Sequence, residues 1–160
     1  MINNDIIRKV RYILDLSNAK MLRIFAKANH EINQEEIINM LKKESEEGYQ
    51  PCNDKTMCMF LDGFVIYKRG LKPGAEIPEP LSQLTNNLIF KKLRVAFELR
   101  EDDIIEALTL AEFNMSKSEL GALFRKPGHK HYKACGDQVL RNFLMGLSLK
   151  HRPKPAETEA

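Results

Sequence analysis

The chain is written twice. Shifted by 83 positions, residues 3–70 fall on 86–153 without a gap, and sixteen positions are identical. Common residue frequencies would give about four such matches by chance. NNDIIRKVRYILDL falls on NNLIFKKLRVAFEL, YQPCND on YKACGD, and FLDG on FLMG. The period exceeds the about 20–50 residues of solenoid repeats, so the pattern predicts a duplicated small domain, with one copy over 3–70 and the other over 86–153. The segment between them, GLKPGAEIPEPLSQLT, carries Pro73, Pro78 and Pro80 with Gly70 and Gly74. Such a composition predicts a linker over 71–85. The polar end PKPAETEA predicts a disordered tail over 154–160.

Within each copy the apolar residues recur at helical spacing, and strand alternation is absent. Four helices per copy are expected, making the fold all-α, with helix-turn-helix-like packing and no sheet. The first helix, 4–16 or 87–99, sets Ile6, Val10, Ile13 and Leu14, or Ile89, Leu93, Ala96 and Phe97, on one face, with Asn4 and Asn87 as expected N-caps. The second, 18–29 or 101–112, buries Leu22 and Phe25, or Ile105 and Leu108. The third opens on a capping-box pattern, Asn33-x-x-Glu36 or Ser116-x-x-Glu119, and turns Ile37 and Leu41, or Leu120 and Phe124, inward. The fourth starts at Asp54 or Asp137, whose carboxylates suit a helix start. It buries Met57, Phe60, Leu61 and Phe64, or Leu140, Phe143, Leu144 and Leu147. Gly63 and Gly146 interrupt this last helix at a cost of about 1 kcal/mol each relative to Ala, which points to close helix–helix packing.

At FRKPGHKHYKACGDQVLRNFLMGL the sequence resembles the YehS-like family of bacterial proteins, whose domain has no assigned function. The resemblance extends from NNDIIRKVRYILDLS to the last helix and includes the doubling. It implies a bacterial cytosolic protein of two related helical domains, and it brings no catalytic residues to transfer.

Function classes narrow by what the chain lacks. Neither GxxxxGK[ST] nor GxGxxG occurs, so no cofactor is expected. A Cys135–His131 dyad has no orienting third group, and the chain is expected not to be an enzyme. Glu101, Asp102 and Asp103 are explained by a helix N-terminus. No apolar run approaches the roughly 20 residues of a membrane span, so no membrane partner is expected. Three cysteines, Cys52, Cys58 and Cys135, form an odd, sparse set after an N-terminus without a leader-like run, and predict reduced thiols in the cytoplasm.

The candidate site is RKPGHKHYKACGDQ, residues 125–138. His129, His131 and Cys135 offer metal-ligand types, with Cys52 as a conceivable fourth. Their spacing matches no recognised knuckle, Lys130 and Lys133 would repel a dication, and no metal is expected. Both copies keep Tyr-x-x-Cys-x-Asp, at Tyr49, Cys52 and Asp54 and at Tyr132, Cys135 and Asp137, which reads as scaffold. Cysteine is often buried, tyrosine can bury its ring, and the aspartate caps the next helix.

Charge separates the copies. Net charge is only +3, so any electrostatic role is local. The first copy holds eleven cations and ten anions, the second twelve cations and eight anions. Glu44, Glu46 and Glu47 in one loop face Arg125, Lys126, Lys130 and Lys133 in the other. Two solvated loops that drifted in charge would look the same. The functional expectation is a helical interaction or regulatory module that binds a partner protein through Arg125, Lys126, His129, Lys130, His131 and Lys133. A second copy of the chain is among the candidate partners. The alternative is a nucleic-acid-binding regulator that uses the same loop, with Lys117 and Arg125 on or near the third helix of a helix-turn-helix-like unit. The acids at 101–103 would face phosphates badly. Oppositely charged loops, or a cleft between the two bundles, could also set how partners orient.

Overall fold

The computed structural model describes residues 1–152; the expected tail over 154–160 lies outside the described residues. Eight helices run in chain order: α1 Asn3–Leu14, α2 Asn18–Lys27, α3 Gln34–Leu41, α4 Asp54–Arg69, α5 Asn86–Ala96, α6 Glu101–Leu110, α7 Lys117–Leu123 and α8 Asp137–His151. No strand forms among the described residues. The first four helices and the last four repeat one arrangement.

Local chemistry starts and stops the helices in register. Asn33 and Ser116 accept the backbone N–H of Glu36 and Glu119, and each glutamate accepts the cap's own N–H, completing both capping boxes. Both first helices end on a left-handed residue, Asp15 at φ 50° and Glu98 at φ 55°. The next N–H then folds back, from Leu16 to the Arg11 carbonyl and from Leu99 to that of Arg94. Arg11 and Arg94 donate in return from Nε to the carbonyls of Leu16 and Leu99. The α2–α3 and α6–α7 turns also use left-handed residues, Asn29 and Glu112. Asparagine tolerates this conformation; glutamate adopts it at a cost of about 1–2 kcal/mol.

The closest helix contact explains the paired glycines. A Cβ on Gly63 would lie 2.0 Å from the Ile24 carbonyl oxygen, and one on Gly146 would lie 1.8 Å from that of Ala107. Glycine therefore lets α4 lie against α2, and α8 against α6, backbone to backbone. The expected core faces are largely in place. In α3 and α7 the fully buried partners of Ile37 and Leu120 are Met40 and Leu123, while Leu41 and Phe124 stay half-buried. Leu22 and Ile105 are also half-buried; Met21, Ile24 and Ile104 go deeper.

Two expectations about caps need correction. Asn4 and Asn87 do not cap α1 and α5: Ile2 and Thr85 hold the cap positions, and Thr85 Oγ1 accepts the Leu88 N–H. The asparagines are inside the first turn, buried, where their amides reach other segments. Nor do Asp54 and Asp137 cap their helices. Asn53 does so for α4, and Gly136 precedes α8 without a side-chain cap. The two aspartates follow the caps and bond across the fold.

The repeats share one hydrophobic core, and the cleft expected between them is confined to the α4–α5 junction under the linker. α4 packs on α5, and α1 packs on α8, so each repeat offers the same two helices to the other. The polar contacts are reciprocal as well. Arg69 pairs with Glu98 at 3.5 Å, and Arg152 with Asp15 at 4.0 Å. Asp54 accepts the Leu84 N–H at 2.9 Å, and Asp137 accepts the Met1 ammonium at 2.8 Å. Each pair maps onto the other under the 83-residue shift. The interface has the logic of an isologous dimer built into one chain.

Candidate functional site

The basic segment is held by an asparagine clamp. Asn87 Nδ2 donates to the carbonyls of Leu123 and Lys133, and its Oδ1 accepts the Cys135 N–H. The neighbouring Asn86 Nδ2 donates to the Cys135 carbonyl and to Asp137. Repeat one has the same wiring. Asn4 bonds Met40, Gln50 and Cys52, and Asn3 bonds Cys52 and Asp54. One side chain thus satisfies three buried backbone groups that no helix ladder could reach.

The loop backbones match too. His129 N–H donates to Lys126, Tyr132 to His129 and Lys133 to Ala122; their counterparts are Glu46 to Lys43, Tyr49 to Glu46 and Gln50 to Asn39. One skeleton therefore displays a shared basic pair, Lys42 and Lys43 or Arg125 and Lys126, followed by Glu44, Glu46 and Glu47 in one copy and Pro127, His129 and Lys130 in the other. Arg125, Lys126, His129, Lys130, His131 and Lys133 are all exposed. None of them forms an ion pair among the described residues, and the acidic loop of repeat one does not pair with them. Lys117 is different. It lies on α7 and pairs with Asp102 at 2.7 Å, both side chains being exposed. This contact raises the Lys117 pKa and lowers that of Asp102, through the hydrogen bond first and the opposite charge second.

The scaffold residues behave as such. Cys52 and Cys135 are buried, and each thiol donates to the carbonyl of the next residue. Burial first, and then the nearby Asp54 or Asp137, push the thiols up to about 12 and about 11. Both stay protonated near neutrality, which makes them poor ligands and nucleophiles. The Nδ1 of His129 accepts the His131 N–H at 3.0 Å. Among the described residues, His129, His131 and Cys135 do not gather into a metal-binding group.

Two cavities were not located by the sequence, although it led to the expectation of a cleft between the repeats. A cleft of about 430 Å³ opens between α4, α5 and the linker, with Val65, Ile66, Leu71 and Val95 among its walls. Asp62 lines it, nearly fully buried, accepting from Lys92 Nζ at 2.5 Å and from the Cys58 thiol at 3.5 Å. The linker is fastened beside it, by the Leu81 N–H on Cys58 Sγ. The 83-residue counterparts of Asp62 and Cys58 are Met145 and Arg141, so this polar cluster breaks the pseudo-symmetry. The second feature is a pocket of about 180 Å³ beside the basic loop, formed by α5 and the end of α7. Comparing the copies position by position, with Leu88 for Asp5 and Lys91 for Arg8, is the sequence signal that points to it.

A model of the family described as protein of unknown function (DUF1456) matches the chain twice, over residues 3–70 and 86–152. The chain is also similar to the uncharacterized protein YehS of Escherichia coli (strain K12), at 45% identity over 154 residues, or 96% of this chain and 99% of the relative. No solved structure matches it. No helix among the described residues is long and apolar enough to cross a membrane. The double match agrees with the duplicated hydrogen-bond wiring, and the chain belongs to the DUF1456 family, in the YehS-like form that carries the domain twice.

Proposed function

We propose that the chain is a non-enzymatic interaction module that binds an acidic surface of a partner protein through the basic loop of repeat two. The observation that carries this reading is the contrast of charge on a common, clamped backbone. Scaffolding requires Asn87, Tyr132, Cys135 and Asp137; it does not require that Pro127, His129 and Lys130 stand where repeat one has Glu44, Glu46 and Glu47, or Lys133 where it has Gln50, while Arg125 and Lys126 keep the cations Lys42 and Lys43. Unpaired exposed cations on an ordered loop favour encounter and orientation of an anionic partner. Because the clamp fixes the loop before binding, little ordering entropy is lost on contact. Lys117, tied to Asp102, stands outside this group, and the acids at the α6 N-terminus weigh against a phosphate backbone as the ligand.

The test is charge reversal. Lys130→Glu with Lys133→Glu should leave the melting temperature nearly unchanged, because both side chains are exposed and form no ion pair among the described residues. It should also abolish capture of a partner from a nuclease-treated host lysate. Unchanged capture would remove the loop from the proposal.

A further inference from the structure

We propose that the partner of the basic loop is an acidic protein segment that inserts one large apolar side chain into the pocket behind that loop. The inference rests on the interaction reading above and specifies its ligand. In repeat one, Arg8 Nη1 donates to the Lys42 carbonyl at 2.8 Å while its other Nη pairs with Asp5. That arginine and aspartate lie beside Tyr49, whose pKa is raised by burial first, then by Glu44 and Asp5, with Arg8 opposing. Repeat two places Leu88 and Lys91 at the same two positions, and Lys91 forms no such bond among the described residues. The space that Arg8 spans in one copy is an open pocket in the other.

The walls of that pocket are apolar: Leu88, Leu123, Phe124, Pro127 and the half-buried Tyr132. Its rim is cationic: Lys91, Arg125 and Lys126 are exposed and unpaired among the described residues. An apolar cavity of about 150 Å³ holds a benzene-sized group, so about 180 Å³ suits a leucine or phenylalanine side chain. An apolar tip flanked by negative charge matches floor and rim together. A nucleotide base matches less well. The Phe124 ring already carries the Arg94 guanidinium at 4.7 Å and a T-shaped contact with Phe90 at 5.1 Å, which reduces the ring surface left for stacking a base.

The test uses the full chain and two fluorescein-labelled peptides, glutamates flanking a single leucine and the same peptide with alanine, read by fluorescence anisotropy. The leucine peptide should bind about fivefold tighter or more, the increment expected from burying the larger side chain. Both affinities should fall with added salt. Leu88→Asp with Lys91→Arg installs the closing pair of repeat one; it should erase the preference while both peptides still bind in a salt-dependent way. Leu71→Ser, in the wall of the linker cleft only, should leave the preference intact. Equal affinity for the two peptides overturns the pocket and spares the loop, and this comparison needs no variant. A preference that survives the graft also overturns the pocket. If neither peptide binds at low salt, the loop reading itself fails. An oligonucleotide of equal charge that binds more tightly than the leucine peptide assigns the surface to nucleic acid instead.

Discussion

The two loops that follow α3 and α7 differ in most exposed side chains and in almost none of their backbone bonds. Residues 42–53 and 125–136 are each held by an asparagine from the first helix of the repeat, and each returns to the third helix through a single backbone hydrogen bond. One carries Glu44, Glu46 and Glu47; the other carries Pro127, His129 and Lys130 at the same places. Duplication leaves two copies free to diverge wherever folding does not constrain them. What persisted is the buried polar wiring, where losing one partner leaves several groups unsatisfied. What changed is solvated charge, which costs folding little. The first copy also shows what the second lacks: with Leu88 and Lys91 at the positions of Asp5 and Arg8, the ground behind the basic loop is open and apolar.

The equivalence of the repeats can be broken most sharply at the paired glycines. Gly63→Ala and Gly146→Ala each drive a methyl group into a backbone carbonyl that cannot turn aside. Each should cost about 3 kcal/mol or more, by closely similar amounts, in urea unfolding. A large difference between them would mean that one half of the shared core yields and the other does not.

The asparagine clamp is next in size. Asn4→Ala and Asn87→Ala each strand an N–H and two carbonyls, and should cost about 2–4 kcal/mol. Here the copies should differ in consequence. Loss of the Asn87 clamp frees the loop 125–133, so amide hydrogen exchange should accelerate at Lys133 and Cys135 and peptide binding should weaken. Loss of the Asn4 clamp should loosen 50–52 and leave binding by repeat two intact.

The smallest effect concerns the reciprocal ends. A hydrogen bond from the Met1 ammonium, followed by one from Asn86, holds the Asp137 carboxyl below its usual range. A depressed folded pKa contributes stability that is present above the unfolded value, about 3.9, and is lost as pH falls through the folded value. Asp137→Asn should therefore lower stability slightly at neutral pH and flatten its decline below about pH 4. The shift should stay within the small range of exposed ion pairs, because Asp137 is open to solvent. High salt should reduce the difference between the variant and the parent protein. A thermal melt series across pH checks both.

Sequence alone determined the doubling, the all-α class, both capping boxes, the inward faces of the long helices and the opposite charge of the two loops. These are local or periodic properties: cap chemistry and helical spacing act within a few residues, and charge is read directly from side-chain type. It set Asp54 and Asp137 at the starts of α4 and α8 but gave them, like Asn4 and Asn87, a capping role they do not play, because a polar residue at a helix start has two legitimate uses. It can cap its own helix or satisfy a distant backbone, and only the path of the chain between 36 and 51 residues away decides which. Tertiary structure also decided that the repeats close on one another through reciprocal contacts, that Asp62, Lys92 and Cys58 meet under the linker, and that Leu88 opens a pocket behind a cationic rim. Each of these depends on which surfaces of separate helices come together, and hydrophobic burial has no direction of its own to record that in a linear pattern.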